Sequence, residues 1–374
     1  MMSQKRPYLV IPFLIEQPTW GGNYILNMKK WNGKPDLTAK KIGQSYELFG
    51  NSKLAVSITD STDSRFVPEF GNAEGKATSY LDLAEDKDYI QLETLIPTMP
   101  LLIKFTQAAG NSFQMHVKPG TPHERWKAKP ESWYYFEDGY ISCGIKAGAD
   151  VGRYRQVCIE IDKLMKDLSA KMQNSDMTVE EGRTIAKQKI HELNPWQFVN
   201  LIQTKKDDLI DLSAGGIHHS WEEDRSKAPL GNVVYEVQVD VMDPYCTIRS
   251  FDQGKIKDDG TIREIHVEDY FRYIDTDTKR NDIESMKRTR VGNTLLTTPY
   301  YGLDILEVLG RSNQETNNSF HHLFVKTGSI VVECAEGAVT VTPGHSCIVP
   351  RGAETYTIVS RAPQSVVLKT YIPS

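Results

Sequence analysis

The sequence predicts a mainly β protein with one helical insertion, and three observations carry that reading. Short runs rich in Val, Ile, Tyr and Phe alternate with turn residues along most of the chain. One stretch, from about 152 to 196, departs from this and repeats its apolar residues at helical intervals. The length of 374 residues, at ~150 residues per domain, allows roughly two domains. Many short strands at this spacing point to sandwiches or barrels.

In chain order, Lys5 and Arg6 precede the apolar run Tyr8-Leu9-Val10-Ile11-Pro12-Phe13-Leu14-Ile15, which Glu16 ends. No small-residue cleavage site follows, so a signal peptide is not expected. Leu101-Leu102-Ile103-Lys104-Phe105, Trp133-Tyr134-Tyr135-Phe136 and Val233-Val234-Tyr235-Glu236-Val237-Gln238-Val239 read as strands, and Glu137-Asp138-Gly139 and Asp258-Asp259-Gly260 as turns. In the insertion, Ile161, Leu164, Met165 and Leu168, then Ile185 and Ile190, mark two or three helices. Thr178-Val179-Glu180-Glu181 has the form of a capping box, and Asn194-Pro195 closes the stretch. A weaker helical patch covers Val267–Tyr273, and the charged run from Lys279 to Arg290 reads as an exposed loop or linker. The segments 206–215 and 343–352 both read as turn, strand and tight turn, a faint repeat expected of two similar β-barrels in tandem.

Composition narrows the function. The chain is 39% apolar and 25% charged, with 44 basic against 49 acidic residues, a net charge of −5. That balance argues against a nucleic-acid or membrane-surface binder, whose affinity rests on clustered positive charge. No apolar run approaches the ~20 residues that span a bilayer. The five cysteines are scattered and form no CxxC pair, as expected of buried thiols in a cytoplasmic protein.

The densest chemistry lies in Ser112-Phe113-Gln114-Met115-His116, where period-two alternation projects Ser112, Gln114 and His116 to one face. Three polar side chains on one face of an apolar barrel are costly unless something binds them. Glu131 heads another strand and His218-His219 follow Ala214-Gly215-Gly216-Ile217. An amide oxygen, two imidazoles and a carboxylate suit zinc or a similar divalent ion. Spacing alone leaves this open, because a histidine in a strand is also a common hydrogen-bonded core residue.

Several motifs in one order then resemble type I mannose-6-phosphate isomerase, a zinc enzyme of the cupin class. They are Trp20-Gly21-Gly22, Ile42-Gly43-Gln44-Ser45-Tyr46-Glu47-Leu48, Pro100-Leu101-Leu102-Ile103-Lys104-Phe105, Ser112 to His116, Lys129 to Trp133, Ser213 to Ser220, and Thr247-Ile248-Arg249-Ser250-Phe251-Asp252. The resemblance implies two tandem cupin (jelly-roll) β-barrels with a helical insertion: a metal-binding domain over 1–265, a linker over 266–289, and a structural cupin over 290–374. It implies one Zn2+ per chain held by Gln114, His116, Glu131 and His218, with His219 beside the site or in packing. It assigns Ser112, Lys104, Lys129 and Lys255 to substrate binding, Arg249 to the reacting carbons, and Glu236 to acid–base work.

The implied reaction interconverts mannose 6-phosphate and fructose 6-phosphate through a cis-enediol. It needs a proton shuttle, and stabilisation of the oxygen that becomes negative. The substrate is thus expected to be a small sugar phosphate. This chain departs from the family pattern at Val117-Lys118-Pro119-Gly120, at Gln44, and in a longer interval between Glu236 and Arg249. Two other readings stay open: a different metal-dependent cupin enzyme, such as an Fe(II) oxygenase, and a non-catalytic sugar-phosphate-binding cupin. Oligomeric state is not legible.

Overall fold

Alternation along the strands decides how the layers stack. In Asn232–Val239, residues Val233, Tyr235 and Val237 point to one side, and Val234, Glu236 and Gln238 to the other. Both sides are buried, so this strand lies in a central sheet covered on two faces. The computed structural model describes residues 3–18, 20–34, 37–71, 77–80, 88–110, 113–220 and 226–374.

Among the described residues the strands form sheets of nine, five, eight and four strands. The nine-stranded sheet includes Glu131–Tyr135, Asn232–Val239, Leu101–Ala108 and Ile42–Leu48 as neighbours. Its one face packs on the five-stranded sheet through Trp133, Tyr135, Ile210, Leu212 and Val234 against Ile141 and Cys143. Its other face packs on the eight-stranded sheet, where the rings of Phe105 and Phe324 lie 5.2 Å apart. The four-stranded sheet covers the far side of the eight-stranded one, with His321 Nδ1 2.7 Å from the Tyr356 hydroxyl.

Of the expected two tandem jelly-roll barrels, the described residues give the mainly β character and the multiple sheets but no closed barrel. Each unit is a pair of open sheets, as no described sheet closes on itself. The five-stranded sheet, for example, ends on Val199–Thr204 and Ile248–Phe251, and neither end pairs with the nine-stranded sheet. The N-terminal strand Tyr8–Ile11 pairs with Ser346–Val349, which brings Tyr8, Lys53–Ala55 and Tyr89–Gln91 into the sheet of the C-terminal residues. Residues 266–289, expected as a linker, carry helices Val267–Tyr273 and Ile283–Met286, and Lys287–Arg288 pairs with Leu209–Asp211.

The insertion forms two helices, Val151–Gln173 and Val179–Leu193. Asp150 caps the first by accepting from the Arg153 N–H at 2.9 Å. Thr178 and Glu181 close a reciprocal capping box on the second, which ends at Asn194 with a positive φ before Pro195. Tyr154, Val157, Cys158, Ile161, Met165 and Leu168 pack this helical layer on Phe113, Met115, Ile217 and Phe251 of the five-stranded sheet. The order of layers is therefore helices, five strands, nine, eight and four. All five cysteines are free thiols, and no described helix is long and apolar enough to cross a membrane.

Candidate metal centre

The space between the five- and nine-stranded sheets holds the polar side chains. In the five-stranded sheet Phe113–His116 lies between Gly216–Ser220 and Ile248–Phe251, pairing Gln114 with both His218 and Arg249. Gln114, His116, His218 and Arg249 thus share the face opposite the helices. Glu131 comes from the nine-stranded sheet across the gap. Gly215 makes the tight entry to the His218 strand: its φ is +77°, and a Cβ there would sit 2.8 Å from the His116 carbonyl oxygen.

His116, Glu131 and His218 are each buried, with one ligand atom apiece, all within 4.8 Å of one another. His218 Nε2 lies 2.9 Å from Glu131 Oε1, and His116 Nε2 3.5 Å from Glu131 Oε2. The other ring nitrogens face backbone: His116 Nδ1 donates to the Cys246 carbonyl at 2.7 Å, and His218 Nδ1 to the Gly216 carbonyl at 3.1 Å. With the protons on Nδ1, both Nε2 lone pairs converge on the carboxylate. The Gln114 amide nitrogen lies 3.1 Å from His218 Nε2, so a half-turn of the amide presents its oxygen there instead.

The electrostatics suit a cation. Burial, then the nearby Lys129 ammonium, lowers the His116 imidazole to about 4, so it is neutral at physiological pH. Burial would raise the Glu131 carboxyl, but Lys129 and the two imidazoles hold it well below its ordinary range. Lys129 Nζ sits 2.7 Å from Glu131 Oε2, and that carboxylate keeps the buried ammonium charged. His116 Nε2 makes no hydrogen bond, and neither Glu131 oxygen has one of good geometry. Buried nitrogen and carboxylate acceptors left this way, with an amide beside them, fit a divalent ion of the zinc type.

Further along the same face of the nine-stranded sheet, Lys104 lies opposite Glu236 in the register. Its ammonium donates to Glu236 Oε1 at 3.2 Å and Gln238 Oε1 at 2.7 Å, and Lys129 Nζ is 4.0 Å from Glu236. Lys104, Lys129, Glu236 and Arg249 are all at least nine-tenths buried. The Arg249 guanidinium is clamped by the Asp243 carboxylate, which also accepts from the Thr247 hydroxyl at 2.6 Å. The surrounding protein would raise the Asp243 carboxyl, although its side chain is 61% exposed, but Arg249 and Thr247 hold it well below its usual range.

The longer Glu236–Arg249 interval accommodates the short 3-10 turn Asp243–Tyr245 that carries this carboxylate. Nothing in the residue pattern singled out Asp243; the added length was the one available signal.

Two assigned residues stand outside this group. Ser112 lies outside the described residues. Lys255 is not brought to the cluster: it sits in the turn after Ile248–Phe251, beside Ile161 and Met165 of the first helix. There its charge helps burial hold the His219 imidazole neutral. His219 alternates with His218, so it faces the helices, with its ring centre 4.7 Å from that of Phe113 in a tilted arrangement, and meets the Gln253 amide.

Comparison with known proteins gives the same direction. The profile of the mannose-6-phosphate isomerase cupin domain matches residues 292–367. No curated protein matches the chain. The fold is that of three solved structures over nearly the whole chain. Mannose 6-phosphate isomerase from Bacillus subtilis has a TM-score of 0.62 at 15% identity, covering 98% of this chain and 99% of that one. A putative mannosephosphate isomerase from Archaeoglobus fulgidus gives 0.60 at 15%, covering 100% of both. A zinc-bound mannose 6-phosphate isomerase gives 0.61 at 11%, covering 98% of this chain and 100% of that one. The resemblance to this isomerase family thus holds in sequence for the C-terminal sheets and in fold for the whole.

Proposed function

We propose that this chain is a zinc-dependent aldose–ketose isomerase that interconverts mannose 6-phosphate and fructose 6-phosphate. The observation that carries the reading is the convergence of His116, Glu131 and His218 in a buried space between two sheets that also holds Lys104, Lys129 and Arg249. Gln114, His116, Glu131 and His218 would hold one ion. When bound, zinc supplies Lewis-acid stabilisation of oxygen charge.

The other side chains have separable tasks. The isomerisation moves a proton between C1 and C2 through a cis-enediol. Arg249, always charged and oriented by Asp243, holds the oxygen that becomes negative. Glu236 carries the proton between the two carbons, with Lys104 fixing its carboxylate. Lys104 and Lys129 provide the positive charge that draws the phosphate into that space. Burial of all four strengthens these interactions by excluding water.

The test is a coupled assay of the purified chain with mannose 6-phosphate, before and after chelation and after zinc is restored, beside Glu131→Ala. Turnover lost on chelation, regained with zinc and absent in the variant supports the isomerase. Stoichiometric zinc with no turnover on either sugar phosphate rejects it and favours a binding protein.

A further inference from the structure

Along the edge strand of the five-stranded sheet, lined by none of the metal ligands, lies a cavity of about 760 Å³. It is framed by the edge strand Val199–Thr204, the turn Pro195–Phe198, the end of Gly139–Ile145, and residues 278–283. Its volume falls within the range of small-molecule sites.

Two of its lining residues each carry a buried polar atom with no hydrogen-bond partner among the described residues. Ser142 is 1% exposed and its hydroxyl makes no hydrogen bond. Register pairs Ser142 with His219 on one side and Leu201 on the other, so its side chain points away from the metal and into the cavity. The Trp196 indole N–H is buried and equally unpartnered. Buried polar groups normally find partners, so two orphans lining one cavity point to a missing one.

The remaining lining says what that partner is. Lys146 and Lys279, both exposed, stand at the rim and make no ion pair among the described residues. The indole and the two ammoniums are donors only. The Asn200 amide nitrogen is committed to the Ile145 and Asn281 carbonyls, and that of Gln197 to the Leu193 and Asn194 carbonyls, which leaves their oxygens as acceptors. The floor is shaped firmly: Gly144, at φ +66°, lets Asn281 approach so closely that a Cβ would lie 2.6 Å from its amide oxygen. That oxygen accepts from the Ile145 N–H at 2.8 Å. Leu201, 49% exposed, adds an apolar wall.

We propose that this cavity is a second binding site, separate from the candidate metal centre, for a hydroxylated organic phosphate. Lys146, Lys279 and the Trp196 indole take the phosphate. Ser142 and the amide oxygen of Gln197 take hydroxyls.

The test uses the full chain and fructose 6-phosphate as probe, with amide hydrogen exchange as readout, so it does not depend on turnover. Addition of the probe is expected to protect residues 194–202 and 278–283. In Lys146→Met/Lys279→Met that protection should weaken, with the binding midpoint rising about tenfold or more as charged hydrogen bonds are lost. The candidate metal centre should keep its isomerase rate and zinc content. Trp196→Phe, which keeps a six-membered aromatic ring and removes the N–H with the rest of the indole's five-membered ring, should raise the midpoint about fivefold. Protection confined to the strands carrying Glu131 and His218 would overturn the proposal. So would protection at 194–202 that survives the double lysine change.

Discussion

His116 Nδ1 donates to the carbonyl oxygen of Cys246 at 2.7 Å, and that bond links the candidate metal site to the turn that carries the Arg249 partner Asp243. The same turn is tied back by the Lys127 N–H, which donates to the Tyr245 carbonyl at 2.7 Å two residues before Lys129. One short segment therefore sets the tautomer of a ligand, the place of the arginine clamp and the approach to Lys129 and Glu131.

Because the ligand nitrogens are pre-aimed, zinc should stabilise the folded chain itself. Free zinc at ~1,000 times its dissociation constant contributes about 4 kcal/mol to a fold that binds it. Thermal unfolding in zinc and in chelator should therefore differ by several degrees. In Glu131→Gln the difference should vanish, since the carboxylate shared by both histidines is gone. An equal zinc-induced shift in that variant would show that the ion binds elsewhere.

Another buried pair binds the central sheets together. Lys29 Nζ and Glu47 Oε1 are 2.7 Å apart with both side chains fully buried, and Ser45 and Ser346 donate to the same carboxylate. Lys29→Met leaves Glu47 charged and unpaired, which costs about 3–5 kcal/mol. Lys29→Met/Glu47→Leu should recover much of that. Denaturant midpoints for the two variants check this, and a double variant no better than the single one would count against it.

How much of this was legible in the sequence depended on the range of the interaction involved. Period-two alternation was enough to put Gln114 and His116 on one face, and helical spacing to locate the insertion, because both are local. Alternation says which face a residue takes but not which sheet stands opposite. That Glu131 belongs to the site came only through its motif, and that it arrives from a facing sheet only through the structure. The pairing of Tyr8 with Ile348 joins chain segments too distant for any periodicity to connect. Lys255 was placed by counting from Arg249. The strand ends at Phe251, and the turn carries the lysine to the helical side.

The C-terminal histidines make the fold acid-sensitive. Burial lowers His321 and His322 to about 3 each, with the Lys369 charge adding to the effect at His321 and Lys29 at His322. Unfolded, each titrates near its ordinary value of 6.5. Between pH 6.5 and 3 the unfolded chain therefore binds protons that the folded chain refuses. Stability falls as pH drops through that window, by up to about 1.4 kcal/mol per pH unit for each histidine. In His321→Asn/His322→Asn the slope of the urea midpoint between pH 4 and 6.5 should flatten, even if the variant is less stable at pH 7. An unchanged slope would assign the acid sensitivity to other groups.

The Asp243–Arg249 clamp separates orientation from charge in the proposed reaction. Arg249→Gln removes the cation that would stabilise the developing oxygen charge. For a stabilising donor of this kind the expected loss is about 10²–10³ in kcat. KM should move little, because Lys104 and Lys129 still hold the phosphate. Asp243→Asn keeps the arginine but weakens its anchor, leaving one hydrogen-bonding oxygen and the Thr247 contact. Its effect should also fall on kcat, and be smaller than that of Arg249→Gln. In the double variant the two losses should not add, since the carboxylate acts only through the guanidinium. Steady-state kinetics on mannose 6-phosphate for the three variants, with zinc content matched, decide the point. Additive losses would give Asp243 a role of its own in the proton transfer, and a rise confined to KM would move Arg249 from the reacting carbons to the phosphate.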